Sequence, residues 1–139
     1  MNVSTFEKTL DLLHRGMDAQ EMRRQVIANN IANSGVPNFK RSDLNFESEL
    51  KRALASEEER PALELTRTDP RHMADWEPRD YKDVKPRKVL DFLSTANNNG
   101  NNVNPEEEFM LALENQMRYS LMAQAMAFEF SQVNLVLRG

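Results

Sequence analysis

Apolar residues recur at a three-four spacing through both ends of the chain, and this pattern constrains the fold more than any other feature. The N-terminal seam consists of Phe6, Leu10, Leu13, Met17, Ile27 and Ile31. The C-terminal seam consists of Met110, Leu113, Met117, Leu121, Phe128 and Leu135. Such spacing is typical of the apolar contact line of a coiled coil. The pattern therefore predicts two long helices that pair along these seams.

Start and stop signals bound the N-terminal helix. Ser4 followed three residues later by Glu7 fits a capping box, which satisfies free backbone N–H groups at a helix start. Gly35 and Pro37 resist continuation of a helix, and no proline precedes them. These signals predict one helix from Ser4 to about Asn33.

The C-terminal helix carries equally clear start signals. Asn104 is a good N-cap and Pro105 suits the first helical position. The acidic run at residues 106–108 complements the positive end of the helix dipole. Because no further glycine or proline occurs before Gly139, the predicted helix runs to about Leu137 and is roughly 50 Å long.

The region between the two helices follows a different pattern. Residues 42–55 have apolar positions at helical spacing, so we expect a short helix there. Leu63 and Leu65 alternate with polar neighbours and residues 84–92 suit an extended chain, which predicts one or two short strands. Six asparagines in residues 97–104 are typical of a loop.

The predicted fold is therefore mainly α, with a coiled-coil-like helical hairpin and a central insert. The insert contains a short helix and is otherwise irregular or short-stranded. We divide the chain into residues 1–35, the N-terminal helix, residues 36–104, the turn and insert, and residues 105–139, the C-terminal helix. With 139 residues the chain is long enough for one ordinary domain.

Composition excludes several classes of function. The chain has no cysteine, so it has no disulfides or thiolate sites. Its net charge of −4 does not suit a binder of nucleic acid backbones. The longest apolar run, Phe109 to Leu113, is far short of the roughly 20 residues that span a bilayer. We also expect no secretory signal peptide, because Glu7 and Asp11 interrupt the first turns.

Candidate catalytic and metal-binding residues are few. Only His14 and His72 supply imidazoles, and neither has a second histidine at ligand spacing. The acidic runs at 57–59 and 106–108 are interpreted as solvated faces and helix-dipole partners, because adjacent residues on a helix do not face each other. We therefore predict no enzyme, no catalytic, metal or cofactor-binding residues, no cofactor and no small-molecule substrate.

Two paired helices would leave further apolar residues in water. These flanking residues are Leu12, Met22 and Val26 on the first helix, with Met122 and Met126 on the second. Exposed apolar surface of that extent indicates a partner, so we expect the hairpin to complete its core against other subunits. The alternative is a three-helix bundle in which residues 46–54 cover the open face. Solution behaviour separates them, because the bundle would be a stable monomer.

The most individual segment is Ala28 to Arg41, ANNIANSGVPNFKR. Ala28 and Ala32 are four residues apart, so a neighbouring helix could approach closely there. Asn29 and Asn33 are also four apart, and their amides could bond across a helix interface. Taken alone, the segment is most simply a helix C-terminus with asparagines suited to fraying and capping.

This segment resembles the ANNIAN signature of the axial proteins of the bacterial flagellum, the rod, hook and hook-associated subunits. The aromatic-lysine pair that ends the signature is present as Phe39 and Lys40, but Pro37-Asn38 stands where proline-glycine or threonine-glycine is commoner. Residues 98–126 resemble the C-terminal signature of the short proximal rod proteins, and residues 68–73 a short stretch of their insert. The matching motif residues are Ala28, Asn29, Asn30, Ile31, Ala32, Asn33, Phe39, Lys40, Asn102, Val103, Asn104, Glu107, Gln116, Arg118 and Tyr119.

The resemblance implies a structural rod subunit with one D0-like unit, built into a helical array at the base of the flagellar rod. It further implies export by the flagellar type III apparatus, a place in the periplasmic space, and contacts with other rod subunits, the adaptor FliE and the membrane ring. We expect the two seams to make contacts within and between subunits, and residues 29–40 to help set how subunits dock. The alternatives are the related short rod protein FlgC, a cytosolic coiled-coil adaptor or chaperone, and a cryptic hydrolase.

Overall fold

Helices at both ends of the chain dominate the fold. The computed structural model describes residues 5–58, 69, 71, 77–94 and 97–138. Its helices are α1, Thr5–Ala32, α2, Glu47–Glu58, and α3, Pro105–Arg138. Its strands are β1, Ser42–Asn45, and β2, Arg87–Leu90, and a 3-10 turn spans Tyr81–Asp83. The predicted fold class is confirmed, with both long helices within a residue or two of their expected bounds; Ser4 lies outside the described residues.

The long helices α1 and α3 pack against each other in antiparallel directions. Asn30 near the end of α1 contacts Glu108 near the start of α3, and Gln20 contacts Asn115 further along. Gly16 then lies against Met122, where an added Cβ would come within 2.8 Å of the sulfur. The side chain of Met122 therefore fills the space beside Gly16 and would have to shift for a larger residue there.

The contact face of α3 differs from the predicted seam. All six residues of the C-terminal seam are more than half exposed. The side facing α1 instead carries buried Glu108 and Asn115, with Leu111, Met122 and Met126 partly buried. The expectation that the C-terminal seam pairs with α1 inside one chain is therefore wrong. The hydrophobic spacing identified an apolar stripe on α3, but this stripe is not the side that faces α1. The side that faces α1 escaped the pattern because two of its buried residues are polar.

The N-terminal seam lies closer to the observed contact. Ile27 is buried, and the other five seam residues are partly buried. The flanking residues Leu12 and Val26 are also partly buried, whereas Met22 is exposed. Thus α1 uses a contact face that is broader than the predicted seam and extends to the buried residues Ala19 and Asn30.

The segment after α1 forms a small sheet before any helix begins. Residues 42–45 are strand β1, so the short helix expected from residue 42 begins at Glu47 as α2. The backbone N–H of Asp91 donates to the carbonyl of Arg41 at 2.8 Å, next to the start of β1 and the end of β2, which makes the two strands antiparallel. Strand β2 confirms the extended chain expected within residues 84–92, whereas Leu63 and Leu65 lie outside the described residues.

The chain divides into two compact units, residues 1–44 with 88–139, and residues 45–87. In the second unit α2 contacts the 3-10 turn, and Ala53, Tyr81 and Val84 are buried. The carboxylate of Glu49 pairs with Arg79 at 3.1 Å. Across the described parts of the chain, every helix is too short or too polar to cross a bilayer.

Candidate assembly surface and its polar cluster

A buried polar cluster lies where α1 ends and α3 begins. Its centre is Glu108, whose side chain is fully buried. One carboxylate oxygen accepts from Arg41 Nε at 2.5 Å and the other from Asn30 Nδ2 at 3.1 Å. Both oxygens are therefore satisfied, as a buried charge requires. Sequence reasoning missed Glu108 because it lies in an acidic run, and the solvated interpretation of that run is wrong at this residue.

Asn30 links α1 to the chain that follows it. Its Nδ2 donates to the carbonyl of Ser42 at 2.8 Å, and its Oδ1 accepts from the N–H of Ser42 at 3.1 Å. The side-chain amide thus satisfies both backbone groups of one residue, much as a neighbouring strand would. Within the ANNIAN motif, this buried contact belongs to Asn30 and not to Asn29 or Asn33.

The other motif positions at the end of α1 make no hydrogen bond to α3 among the described residues. Asn33 Nδ2 bonds the carbonyl of Asn29 at 2.7 Å within the same helix end, and Asn29 is exposed. Ala28 and Ala32 are exposed as well, while Ile31 is partly buried. In this chain the close helix approach occurs at Gly16 instead.

Arg41 joins the cluster to the second strand. Burial disfavours the guanidinium charge, but the hydrogen bond that Arg41 donates to Glu108 and the negative charges of Glu108, Asp43 and Asp91 outweigh burial and raise the pKa of Arg41. Its backbone N–H donates to Asn102 Oδ1 at 2.6 Å. Asn102 Nδ2 donates in turn to the carbonyl of Asp91 at 2.8 Å. The motif residue Asn102 therefore connects the strands to the loop before α3.

Asn101 fastens the asparagine-rich loop to the end of α1. Its fully buried side chain places Nδ2 within 2.9 Å of the carbonyls of Asn33, Ser34 and Val36. These carbonyls belong to the helix end and the turn that follows it, where backbone acceptors lack intrahelical donors. Its Oδ1 accepts from the N–H of Val103 at 2.8 Å. One side chain thus ties the two ends of the hairpin connection together.

The turn after α1 adopts a left-handed backbone at Asn38, with φ of 60°. Asparagine tolerates this conformation better than most residues, so Asn38 suits the position where glycine is commoner in the resembled signature. Gly100, with φ of 77°, lies against it, and an added Cβ would come within 2.5 Å of Asn38 Oδ1. Lys40 Nζ donates to the carbonyl of Gly100 at 2.8 Å.

Most of the remaining motif residues lie just before α3 or in its first half, and Phe39 follows α1. Val103 is buried, Phe39 is partly buried, and Asn104 caps the helix by accepting from the N–H of Glu106 at 3.1 Å. Glu107 and Gln116 are exposed, Arg118 pairs with Glu114 at 2.5 Å, and Tyr119 is 37% exposed. These residues do not converge on one site as the cluster residues do.

Opposite the polar contact with α1, α3 presents an uncovered apolar surface. Its residues are Met110, Leu113, Met117, Leu121, Phe128 and Leu135, the C-terminal seam, which we now call the α3 stripe. At ~100° per residue these positions share one side of the helix, about half a turn from Glu108 and Asn115. The exposed side of α1 is charged instead, with ion pairs such as Arg24 to Glu21 at 2.7 Å. The two helices therefore offer very different surfaces to a partner.

The described residues hold no arrangement suited to metal binding. No group of three or more histidine, aspartate or glutamate side chains within them is close enough to share an ion. His14 is largely exposed and lies 3.3 Å from Asp18 on the next helical turn. His72 lies outside the described residues. The surface that most needs explanation is therefore the α3 stripe.

Known proteins resemble the chain over nearly its full length. The family model for flagella basal body rod proteins matches residues 10–40. The flagellar basal body rod proteins FlgB of Borreliella burgdorferi and Borrelia hermsii are each 43% identical, over 98% and 99% of this chain and 100% of their own lengths. FlgB of Bacillus subtilis is 29% identical over 99% of this chain and 98% of its own. The chain therefore belongs to the FlgB family of flagellar basal body rod proteins.

Proposed function

We propose that this chain is a structural subunit of the proximal flagellar rod, which assembles with copies of itself and other rod proteins and transmits torque. The α3 stripe is the observation that carries the proposal. Six large apolar side chains, each more than half exposed, lie along one side of α3 from Met110 to Leu135. Burial of such surface is the main driving force for association, at about 25 cal/mol per Å².

The polar cluster supports this surface from within the chain. Because Glu108, Arg41 and Asn30 hold the start of α3 against the end of α1, the stripe is presented on a fixed side of the hairpin. In this proposal the α3 stripe makes contacts between subunits. The N-terminal seam serves the hairpin through Ile27 and offers its partly buried residues to neighbours. The turn at residues 29–40 helps to set how adjacent subunits dock.

The wider setting is also part of the proposal. We infer that residues 1–35 and 105–139 act as one D0-like unit with residues 36–104 as its insert, that the rod subunit is exported by the flagellar type III apparatus, and that it is built in the periplasmic space. The adaptor FliE and the membrane ring are its expected neighbours, and it performs no catalysis. The FlgB relatives do not favour the alternatives of FlgC or a cytosolic adaptor or chaperone.

Leu121→Asp tests the role of the stripe. Leu121 is 63% exposed, so the aspartate should leave the fold of the single chain intact. In the assembled rod it would bury an unpaired charge, which is costly, and incorporation should be abolished. The measurement is the amount of the variant in isolated basal bodies, together with motility, in cells that lack the native chain.

Gln25→Glu is the matched control, because it also adds one negative charge but on the exposed, charged side of α1. We expect this control to assemble as the native chain does. Normal rod assembly and motility with Leu121→Asp would contradict the proposed role of the stripe, provided that circular dichroism shows both variants to be folded alike.

A further inference from the structure

A second apolar surface projects where β2 ends. Phe92 is 72% exposed and Leu93 is 99% exposed, and we call Lys88, Leu90, Phe92 and Leu93 the knob. The turn that carries it is well fixed, because Asp91 Oδ1 accepts from the N–H groups of Leu93 at 2.9 Å and Ser94 at 3.0 Å. The hydroxyl of Ser94 and then these two N–H groups lower the pKa of Asp91. The two large side chains are thus held out into solvent by a defined backbone.

A shallow groove on the first turns of α3 has an apolar floor and acidic edges. Met110 and Leu111 form its apolar floor, and Glu106, Glu107 and Glu114 form its rim. Met110 is 68% exposed, so nothing in the described chain covers the floor. Glu114 pairs with Arg118, whereas Glu106 and Glu107 have no ion-pair partner among the described residues.

The knob carries a positive charge, whereas the rim of the groove is negative. Lys88 is exposed and has no ion-pair partner in the part of the chain that the structure describes. An apolar projection with a cation on the strand that leads into it therefore complements an apolar groove with two carboxylates on its rim that lack an ion-pair partner among the described residues. Complementary charges around an apolar contact fix the register of an interface and reject wrong partners.

We propose that the knob of one copy of this chain docks into the α3 groove of a neighbouring copy. Both halves of the contact are present on each chain and both are uncovered in the single chain, which is what a contact between identical copies requires. Because the two halves are different surfaces, each copy uses its knob toward one neighbour and its groove toward another. Such contacts can repeat through an open assembly. The proposal rests on the proposed assembly function and adds to it a named pair of surfaces.

Cysteine cross-linking tests the contact directly, because the full chain has no cysteine of its own. One copy carries Leu93→Cys and a second, size-tagged copy carries Met110→Cys. We expect mild oxidation of the mixture to give a disulfide between the two variants in preference to either homodimer. The control replaces Met110→Cys with Gln25→Cys on the charged side of α1. Cross-linking of Leu93→Cys no stronger to Met110→Cys than to Gln25→Cys would overturn the proposal.

Charge reversal provides a second test, read by sedimentation of the purified chains. Lys88→Glu and Glu107→Lys should each weaken self-association about tenfold, because each places like charges in the contact. A mixture of the two should associate as strongly as the native chain, since both possible contacts between unlike variants pair a lysine with a glutamate. An intrachain role for these residues predicts no such rescue. Unchanged association of the single variants, or no rescue on mixing, would overturn the proposal, with circular dichroism confirming that each is folded.

Failure of the docking proposal can be distinguished from failure of the proposed assembly function, which the Leu121→Asp experiment tests. If Leu121→Asp blocks incorporation while the charge-reversed variants incorporate normally, the assembly function stands and the docking of knob into groove is wrong. If Leu121→Asp incorporates normally as well, the stripe itself has no role in assembly. Cross-linking in cells of Leu93→Cys to another basal body protein, in place of a second copy, would also overturn the proposal.

Discussion

At the scale of single residues, Glu108 is the position on which the hairpin depends most. Replacing it with alanine leaves the guanidinium of Arg41 and the amide of Asn30 without their shared acceptor. Loss of one partner from a buried ion pair typically costs 3–5 kcal/mol, and the partial exposure of Arg41 favours the lower end, so we expect a loss of about 3 kcal/mol in the free energy of unfolding. Urea unfolding followed by circular dichroism, with the native chain and the variants at the same protein concentration, measures this loss.

Glu114→Ala is the control for that measurement. Glu114 lies on the same helix, but its pair with Arg118 is half exposed on both sides. Pairs of that kind contribute about 0.3–0.5 kcal/mol, so this variant should unfold almost as the native chain does. Equal losses for Glu108→Ala and Glu114→Ala would show that the cluster does not hold the hairpin together.

Residues whose role is local could be predicted from the sequence, and residues whose role depends on distant partners could not. Asn104 and Pro105 begin α3 as expected, because capping depends on the next few residues. Glu108 has neighbours in sequence that are exposed, and its partners lie 67 and 78 residues away. The acidic run around Glu108 does not indicate which of its residues is buried. Asn115, seven residues further along, is a second buried polar residue on the same side of the helix.

At the scale of elements, the apolar period of α3 predicted the helix but not the direction of its contacts. A three-four spacing identifies a stripe that must be covered without identifying what covers it. Here α1 covers the opposite side, where Glu108 and Asn115 are polar and bond to side-chain and backbone groups of α1, and Glu108 also to Arg41. Helix α3 has one polar side that is buried within the chain and one apolar side that is exposed. For such a helix, the hydrophobic pattern alone assigns the wrong side to the contact within the chain.

Asn101→Ala tests how the loop before α3 holds the end of α1. The variant removes the donor shared by the carbonyls of Asn33, Ser34 and Val36 in a buried place. It also removes the acceptor of the buried N–H of Val103. Because a buried polar group left unsatisfied costs roughly 1–3 kcal/mol, we expect a loss of about 2 kcal/mol in the free energy of unfolding. Hydrogen exchange should show faster exchange of the amides in the last turn of α1 and the turn after it.

The neighbouring Asn98→Ala is the matched control, because Asn98 is exposed in the same loop and makes no hydrogen bond among the described residues. Its stability and exchange rates should match those of the native chain. If both asparagine variants exchange alike at the end of α1, the three carbonyl contacts of Asn101 do not restrain that helix.

At the scale of the whole molecule, the uncovered α3 stripe couples folding to association. A hairpin that leaves six large apolar side chains in water gains little from folding alone, whereas covering them by copies of the chain adds stability by mass action. We therefore expect the helical signal in circular dichroism to be weak in dilute solution and to rise with protein concentration, in step with the sedimentation coefficient. Leu121→Asp should retain the dilute signal but lose most of this rise, because its charge opposes burial of the stripe. A sharp unfolding transition of a monomer, independent of concentration, would contradict this coupling and favour a self-contained three-helix bundle, in which the apolar surface of α3 plays no part in reaching the folded state.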